Sequence, residues 1–221
     1  MQRRLIVSVL GNAACCRNDC SVEQRKKWEL SFELGKCLVD HGCRVLTGGG
    51  KGVMRATFAG AHASKNYKEG DTIAICPSYD FDTANDYADI AIPTGFDLAR
   101  DIIVANSEVV IAMGGGAGTL NEISAAWKMG RMVIAYKNVD GWSSKLADMV
   151  IDDAERIPGI GDRVWGVESA EEAWALIEKL LPYYNKAFDR IPFGVPVLKD
   201  KAPSNWVGPV RIKSSKDVEE L

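Results

Sequence analysis

Within the ten residues Met113-Gly114-Gly115-Gly116-Ala117-Gly118-Thr119-Leu120-Asn121-Glu122 stand four glycines, one hydroxyl and one carboxylate. The apolar run Val109–Met113 before them reads as a buried strand, and a helix-forming stretch follows. A turn without side chains lets backbone amides approach an anion closely, and the unpaired N–H groups of a helix N-terminus attract negative charge. Gly114, Gly115, Gly116, Ala117, Gly118 and Thr119 are therefore candidates for holding a phosphate. Glu122 lies three residues beyond Thr119, on nearly the same helix face, which puts a carboxylate beside that anion.

A second cluster, Gly48-Gly49-Gly50-Lys51-Gly52-Val53-Met54, also follows an apolar run and opens a helical stretch. Its backbone can line a ligand from another side, with Lys51 as a cation for an anionic group. The alternative is a tight strand-to-helix turn with a solvated lysine. Gly11 and Asn12 follow the first apolar run, where they would line a ligand crevice or begin a surface loop. Gly11-Asn12-Ala13-Ala14 has a single glycine, so the pattern G-x-G-x-x-G of dinucleotide oxidoreductases is absent.

The elements that must position these residues alternate. Leu5–Leu10, Cys43–Leu46, Thr72–Cys76, Ile90–Ile92, Val109–Met113 and Met132–Tyr136 read as strands. Ser21-Val22-Glu23-Gln24 has the form of a capping box opening a helix toward Asp40, with Gly42 past its end. Further helices are predicted from Gly52, over Asp97–Asn106 and over Thr119–Met129; Ser169-Ala170-Glu171-Glu172 caps a last one ending at Leu181. Such alternation predicts a doubly wound parallel α/β sheet of Rossmann type over residues 1–181. The three glycine turns, after Leu10, Leu46 and Met113, then fall at strand carboxyl ends, where such sheets bind ligands. Residues 182–221 hold five of the eight prolines together with Tyr183, Tyr184, Phe188, Phe193 and Trp206. They read as an irregular tail that packs on the domain or on a neighbouring subunit.

With 221 residues, 47% of them hydrophobic, the chain can bury a full core. A net charge of −3, without a basic block or stripe, argues against nucleic-acid and membrane partners and leaves small anionic ligands. The opening Met1-Gln2-Arg3-Arg4 leads into too short an apolar run for a signal peptide, and a cytoplasmic protein is expected. Of six cysteines, Cys37, Cys43 and Cys76 sit in apolar patterns as buried thiols do. Cys15, Cys16 and Cys20 lack a paired C-x-x-C, and His41 and His62 lie elsewhere, so neither a metal site nor a resident cofactor is expected. Trp127 and Met129 read as a packing face of the helix after the signature.

Together, the two glycine clusters resemble the Lonely Guy family, long labelled lysine-decarboxylase-like, whose signature is PGGxGTxxE preceded by a GGxxGxM turn. The likeness spans about residues 4–181. It implies a nucleoside 5′-monophosphate site and a phosphoribohydrolase that cleaves the N-glycosidic bond to free base and ribose 5-phosphate. In that reaction Glu122 would stabilise a ribosyl cation-like transition state or activate water. Arg100, on the helix before the signature strand, would be its partner. The plainer role for Glu122 is to complement the helix dipole, worth about 0.3–1 kcal/mol.

The family's adjacent Arg-Lys pair is Ala99-Arg100 here, its signature proline is Gly114, and the glycine after Met54 is Arg55. These departures bring the chain closer to the molybdenum-cofactor carrier proteins, whose general pattern Asp140-Gly141-Trp142 also fits. That sister group implies a non-catalytic carrier or sensor of a phosphorylated pterin. Either resemblance implies a homodimer or homotetramer.

Overall fold

In the computed structural model, residues 4–189 other than Cys16, Asp19 and Glu155 are described. The predicted tail residues 190–221, with Phe193 and Trp206, lie outside them, as does Cys16. The chain forms β1 (Ile6–Gly11), α1 (Val22–Asp40), β2 (Arg44–Thr47), α2 (Val53–His62), β3 (Thr72–Cys76) and β4 (Ile90–Pro93). It continues through α3 (Asp101–Ala105), β5 (Val109–Met113), α4 (Ala117–Lys128), β6 (Met132–Tyr136), α5 (Trp142–Leu146), β7 (Trp165–Val167) and α6 (Ala170–Asp189).

The seven strands make one sheet in the order β4-β3-β2-β1-β5-β6-β7, every pair parallel. It is the doubly wound Rossmann-like α/β fold that the alternation predicts. The chain winds outward from β1 through β2 to β4, then returns to β5 on the other side of β1, so the switch point lies between β1 and β5. Gly11 pairs in register with Met113, which brings the first loop and the signature turn to the same edge.

Helices α1, α2 and α6 pack together over one face of the sheet, and α3, α4 and α5 over the other. Two apolar cores result. One holds Leu34, Leu38 and Phe58 against Val7, Val9 and Ile111; the other holds Ile123, Ala126 and Trp127 against Leu10, Val110 and Ala112. Every residue of β5 and β6 is buried, as expected of strands covered on both faces, and β4 at the edge alternates in exposure.

The capping box at Ser21 forms in both directions, its hydroxyl accepting from Gln24 N and the Gln24 side chain from Ser21 N. Three local expectations change. The helix predicted over Asp97–Asn106 is a tight 3-10 turn, Asp97–Arg100, followed by the short α3, because Asp97 enters in a left-handed conformation at φ 48°. The last helix runs past Leu181 and through Pro182 to Asp189, so the first eight residues of the predicted tail are helical. Its next turn is anchored by Tyr184, which is buried and accepts a hydrogen bond from Trp165 Nε1 at 2.9 Å while donating to Asp162. That packing outweighs the one hydrogen bond a proline removes. Strand β7 and helix α5 are additions to the predicted order.

Among the described residues, no helix is long and apolar enough to cross a membrane, and no group of three His, Cys, Asp or Glu side chains is placed to hold a metal.

Candidate functional site

Asn12, one residue past β1, connects the two glycine turns. Its side-chain Oδ1 accepts the Gly115 amide at 2.5 Å, and its carbonyl accepts the Val53 amide at the start of α2 at 2.9 Å. The carboxyl ends of β1, β2 and β5 are thereby joined by a single residue. Val53 is the first residue of α2, so one of that helix's orphan donors is satisfied from β1. Gly11, next to it, is half-buried against Met113 and Val53.

The signature turn is clasped from β6 as well. Gly114 N donates to Ser143 Oγ at 2.7 Å, and Ser143 Oγ donates to Tyr136 O at 2.8 Å. Ser143 N and Trp142 N in turn donate to the carbonyls of Gly114 and Gly115, each at 3.0 Å. Gly115 has φ +95° and its missing Cβ would overlap Thr119, so both backbone and packing demand glycine there.

This bonding revises which amides can face a ligand. The sequence places Gly114 and Gly115 among the phosphate donors, but their N–H groups are already used inside the protein. The donors left are those of the first turn of α4, Ala117, Gly118 and Thr119, with Gly116 at the cap. Gly116, Ala117 and Gly118 are exposed, and the first intrahelical bond is Leu120 N to Gly116 O at 3.0 Å. Thr119 is buried.

The second turn is held by Asn85, whose backbone N–H reaches Gly49 O at 2.8 Å and whose side-chain amide reaches Gly49 O at 3.0 Å and Gly50 O at 2.9 Å. Gly48, Gly49 and Gly52 are buried, Gly50 and Met54 half-buried with the Met54 methyl over Gly50, and Lys51 is exposed.

Arg100, the last residue of the 3-10 turn before α3, and Glu122 on α4 come together. Arg100 Nη1 lies 3.6 Å from Glu122 Oε1 and 3.7 Å from Asp101 Oδ1. The same guanidinium fills the space where a Cβ on Gly48 would stand, so it also abuts the second glycine turn. Both carboxylate contacts are longer than a hydrogen bond, and Arg100 Nε is buried without a partner among the described residues. Glu122 is only 8% exposed. Burial, and next the nearby Asp101 carboxylate, push its pKa up to about 8 against the opposing pull of Arg100. At neutral pH Glu122 is therefore mostly a neutral acid.

Asn85, Asp101 and Ser143 are the residues that sequence reasoning missed. Ser143 carried a weak signal, since Gly141-Trp142-Ser143 follows a strand end as the other turns do. Asn85 and Asp101 carried none. Trp127 is a buried packing residue, as predicted, with the Arg156 guanidinium 5.0 Å over its ring. Cys43 and Cys76 are buried, and burial pushes the Cys43 thiol up to about 12.

The family model described as SLOG cluster4 matches residues 4–173. The chain belongs to the SLOG cluster4 family. It is similar to the structure of the molybdenum cofactor binding protein from the phototrophic bacterium Rippkaea orientalis, with 30% identity and a TM-score of 0.65 over 82% of this chain and 99% of that one. It is also similar to the molybdenum cofactor carrier protein of Chlamydomonas reinhardtii, with 28% identity and a TM-score of 0.61 over 81% of this chain and 99% of that one. A protein of Archaeoglobus fulgidus is 33% identical over 132 residues, 59% of this chain and 79% of that protein. This SLOG protein thus stands in a Lonely Guy-like family, close to the cofactor carriers, as its glycine motifs imply.

The raised carboxyl of Glu122 has a measurable consequence for stability. Above its ordinary value of 4.5 the unfolded chain releases this proton, while the folded chain keeps it until about pH 8. The stability held by neutral Glu122 is thus complete below the unfolded carboxyl's range and is lost as pH rises toward 8, each pH unit being worth about 1.4 kcal/mol. Glu122→Gln keeps shape and neutrality, so in urea unfolding it should exceed the native chain by a few kcal/mol near pH 9, with the gap closing toward pH 4. A gap independent of pH would contradict the neutral glutamic acid.

Proposed function

We propose that this protein binds and holds a small phosphorylated ligand, a phosphorylated pterin of molybdenum-cofactor type, as a cytoplasmic carrier. The observation that carries the reading is the unsatisfied Arg100 guanidinium. Its carboxylate neighbours stop at 3.6 and 3.7 Å, and its Nε has no partner among the described residues. Beside the open amides of α4, such a cation has donors to spare for an anionic group. The two similar cofactor-binding structures point to the same ligand class.

The charge state of Glu122 supports carriage over cleavage. A ribosyl cation-like transition state needs a negative charge close to the anomeric carbon. Glu122, raised to about 8, offers little at neutral pH, and the neighbouring arginine opposes developing positive charge. One feature favours the hydrolase as a second reading: a protonated Glu122 can deliver its proton to a leaving base.

Equilibrating the protein with molybdenum cofactor, followed by gel filtration, should show cofactor eluting with the protein. Arg100→Ala should weaken retention by at least about tenfold, as for loss of a charge-assisted contact. A panel of nucleoside 5′-monophosphates should yield no free base. Base release at enzymatic rates, lost in Glu122→Gln, would replace the carrier by the hydrolase.

The same reading includes self-association. Phe96, Leu98, Ile102 and Ile103 project as exposed apolar side chains from the 3-10 turn and α3, next to Arg100, and suit burial against a second copy. Light scattering should give a mass of at least twice 24.1 kDa, and Leu98→Asp combined with Ile102→Asp should reduce it to one chain. A native monomer would refute this part.

A further inference from the structure

A cavity of about 750 Å³ opens on the other side of the second glycine turn from Arg100. Gly48 abuts the Arg100 guanidinium, whereas Gly49, Gly50, Lys51 and Gly52 line the cavity. The turn is thus a wall shared by two compartments. Neither Glu122 nor the signature turn lines this one, and its volume suits a small organic molecule.

Its walls have a definite chemistry. Trp28 from α1 and Tyr87 from the segment before β4 supply aromatic side chains. Arg17 and Lys51 bring positive charge, both exposed, and Lys51 has no ion pair among the described residues. Arg55 is fixed by Asp86 at 3.0 Å, with its guanidinium 5.2 Å from the centre of the Tyr87 ring. Asp82 adds a carboxylate that can accept from N–H groups. The floor is preset, because Asn85 ties down the Gly49 and Gly50 carbonyls.

We propose that this cavity is a recognition pocket for a planar, N–H-bearing heterocycle with an anionic substituent. The ring lies against Trp28, its donor edge meets Asp82, and its anion meets Lys51. Stacking and cation contacts of this kind give orientation and specificity to such a ligand. The pocket is lined by residues outside the signature turn, so the inference goes beyond the proposed binding of a phosphorylated ligand there and stands independently of it.

Pterin-6-carboxylate, a fluorescent ring with an anion but no phosphate, tests it directly. Its fluorescence should be quenched on binding to the full chain. Lys51→Ala should weaken that binding at least fivefold, Trp28→Leu should abolish most of the quenching, and Thr119→Val should leave both unchanged. Inorganic phosphate, followed by calorimetry, should respond in the opposite way, weakened by Thr119→Val and indifferent to Lys51→Ala. The inference is overturned if pterin-6-carboxylate does not bind the native protein, or if it binds with an affinity sensitive to Thr119→Val and not to Lys51→Ala. In both of those cases retention of the whole cofactor would leave the carrier reading standing. Failure to retain cofactor, together with Lys51-dependent pterin binding, would remove the carrier reading and keep the pocket.

Discussion

The architecture of the site depends on one asparagine with two acceptors used at once. Asn12 takes the Gly115 amide on its side chain and the Val53 amide on its carbonyl, joining the ends of β1, β2 and β5 at the sheet's switch point. A buried donor left without a partner costs about 1–3 kcal/mol, so each bond strongly favours the register that makes it. With Gly115 committed to Asn12 and Gly114 to Ser143, the signature turn is held by bonds from within the protein. Its free donors are then the helix amides that follow. A glycine-rich segment, conformationally the least restrained part of a chain, is held here by groups far away in sequence.

The same economy of partners shapes the electrostatics. Arg100 stands between Glu122, Asp101 and the wall of the second glycine turn. Both carboxylates are buried beside one guanidinium, and burial together with the nearby Asp101 carboxylate raises the Glu122 carboxyl against the pull of Arg100. A neutral glutamic acid can donate as well as accept a hydrogen bond, which suits holding an anion. Asn121 Nδ2 reaches Asp101 Oδ2 at 3.3 Å, helping to keep that carboxylate in place.

The parts legible in the sequence were those governed by local pattern. Thr72–Cys76, Val109–Met113 and Met132–Tyr136 were bounded correctly because five-residue apolar runs covered on both faces have little else to be. The glycine turns were legible because their positions at strand ends follow from alternation alone. Strand β7 was not: Trp165-Gly166-Val167 is three residues long and only Val167 is buried. Nor was the helix through Pro182, whose continuation rests on Tyr184 packing against the Asp162–Trp165 segment. Within the site, the candidate residues were legible by type, whereas their partners were not. Asn12 and Gly115 are 103 residues apart, and Gly114 and Ser143 29 apart, separations at which no periodicity carries information. The amides expected to bind phosphate consequently included two that the fold itself consumes.

The central claim, that the anion seat is the first turn of α4 and not the glycine turn before it, is tested most directly by backbone amide NMR during titration with inorganic phosphate. The largest shifts are predicted at Ala117, Gly118 and Thr119, while Gly114 and Gly115 stay protected from hydrogen exchange with and without phosphate. Shifts confined to other parts of the protein, or a Gly115 amide that exchanges freely in the unliganded chain, would contradict the account.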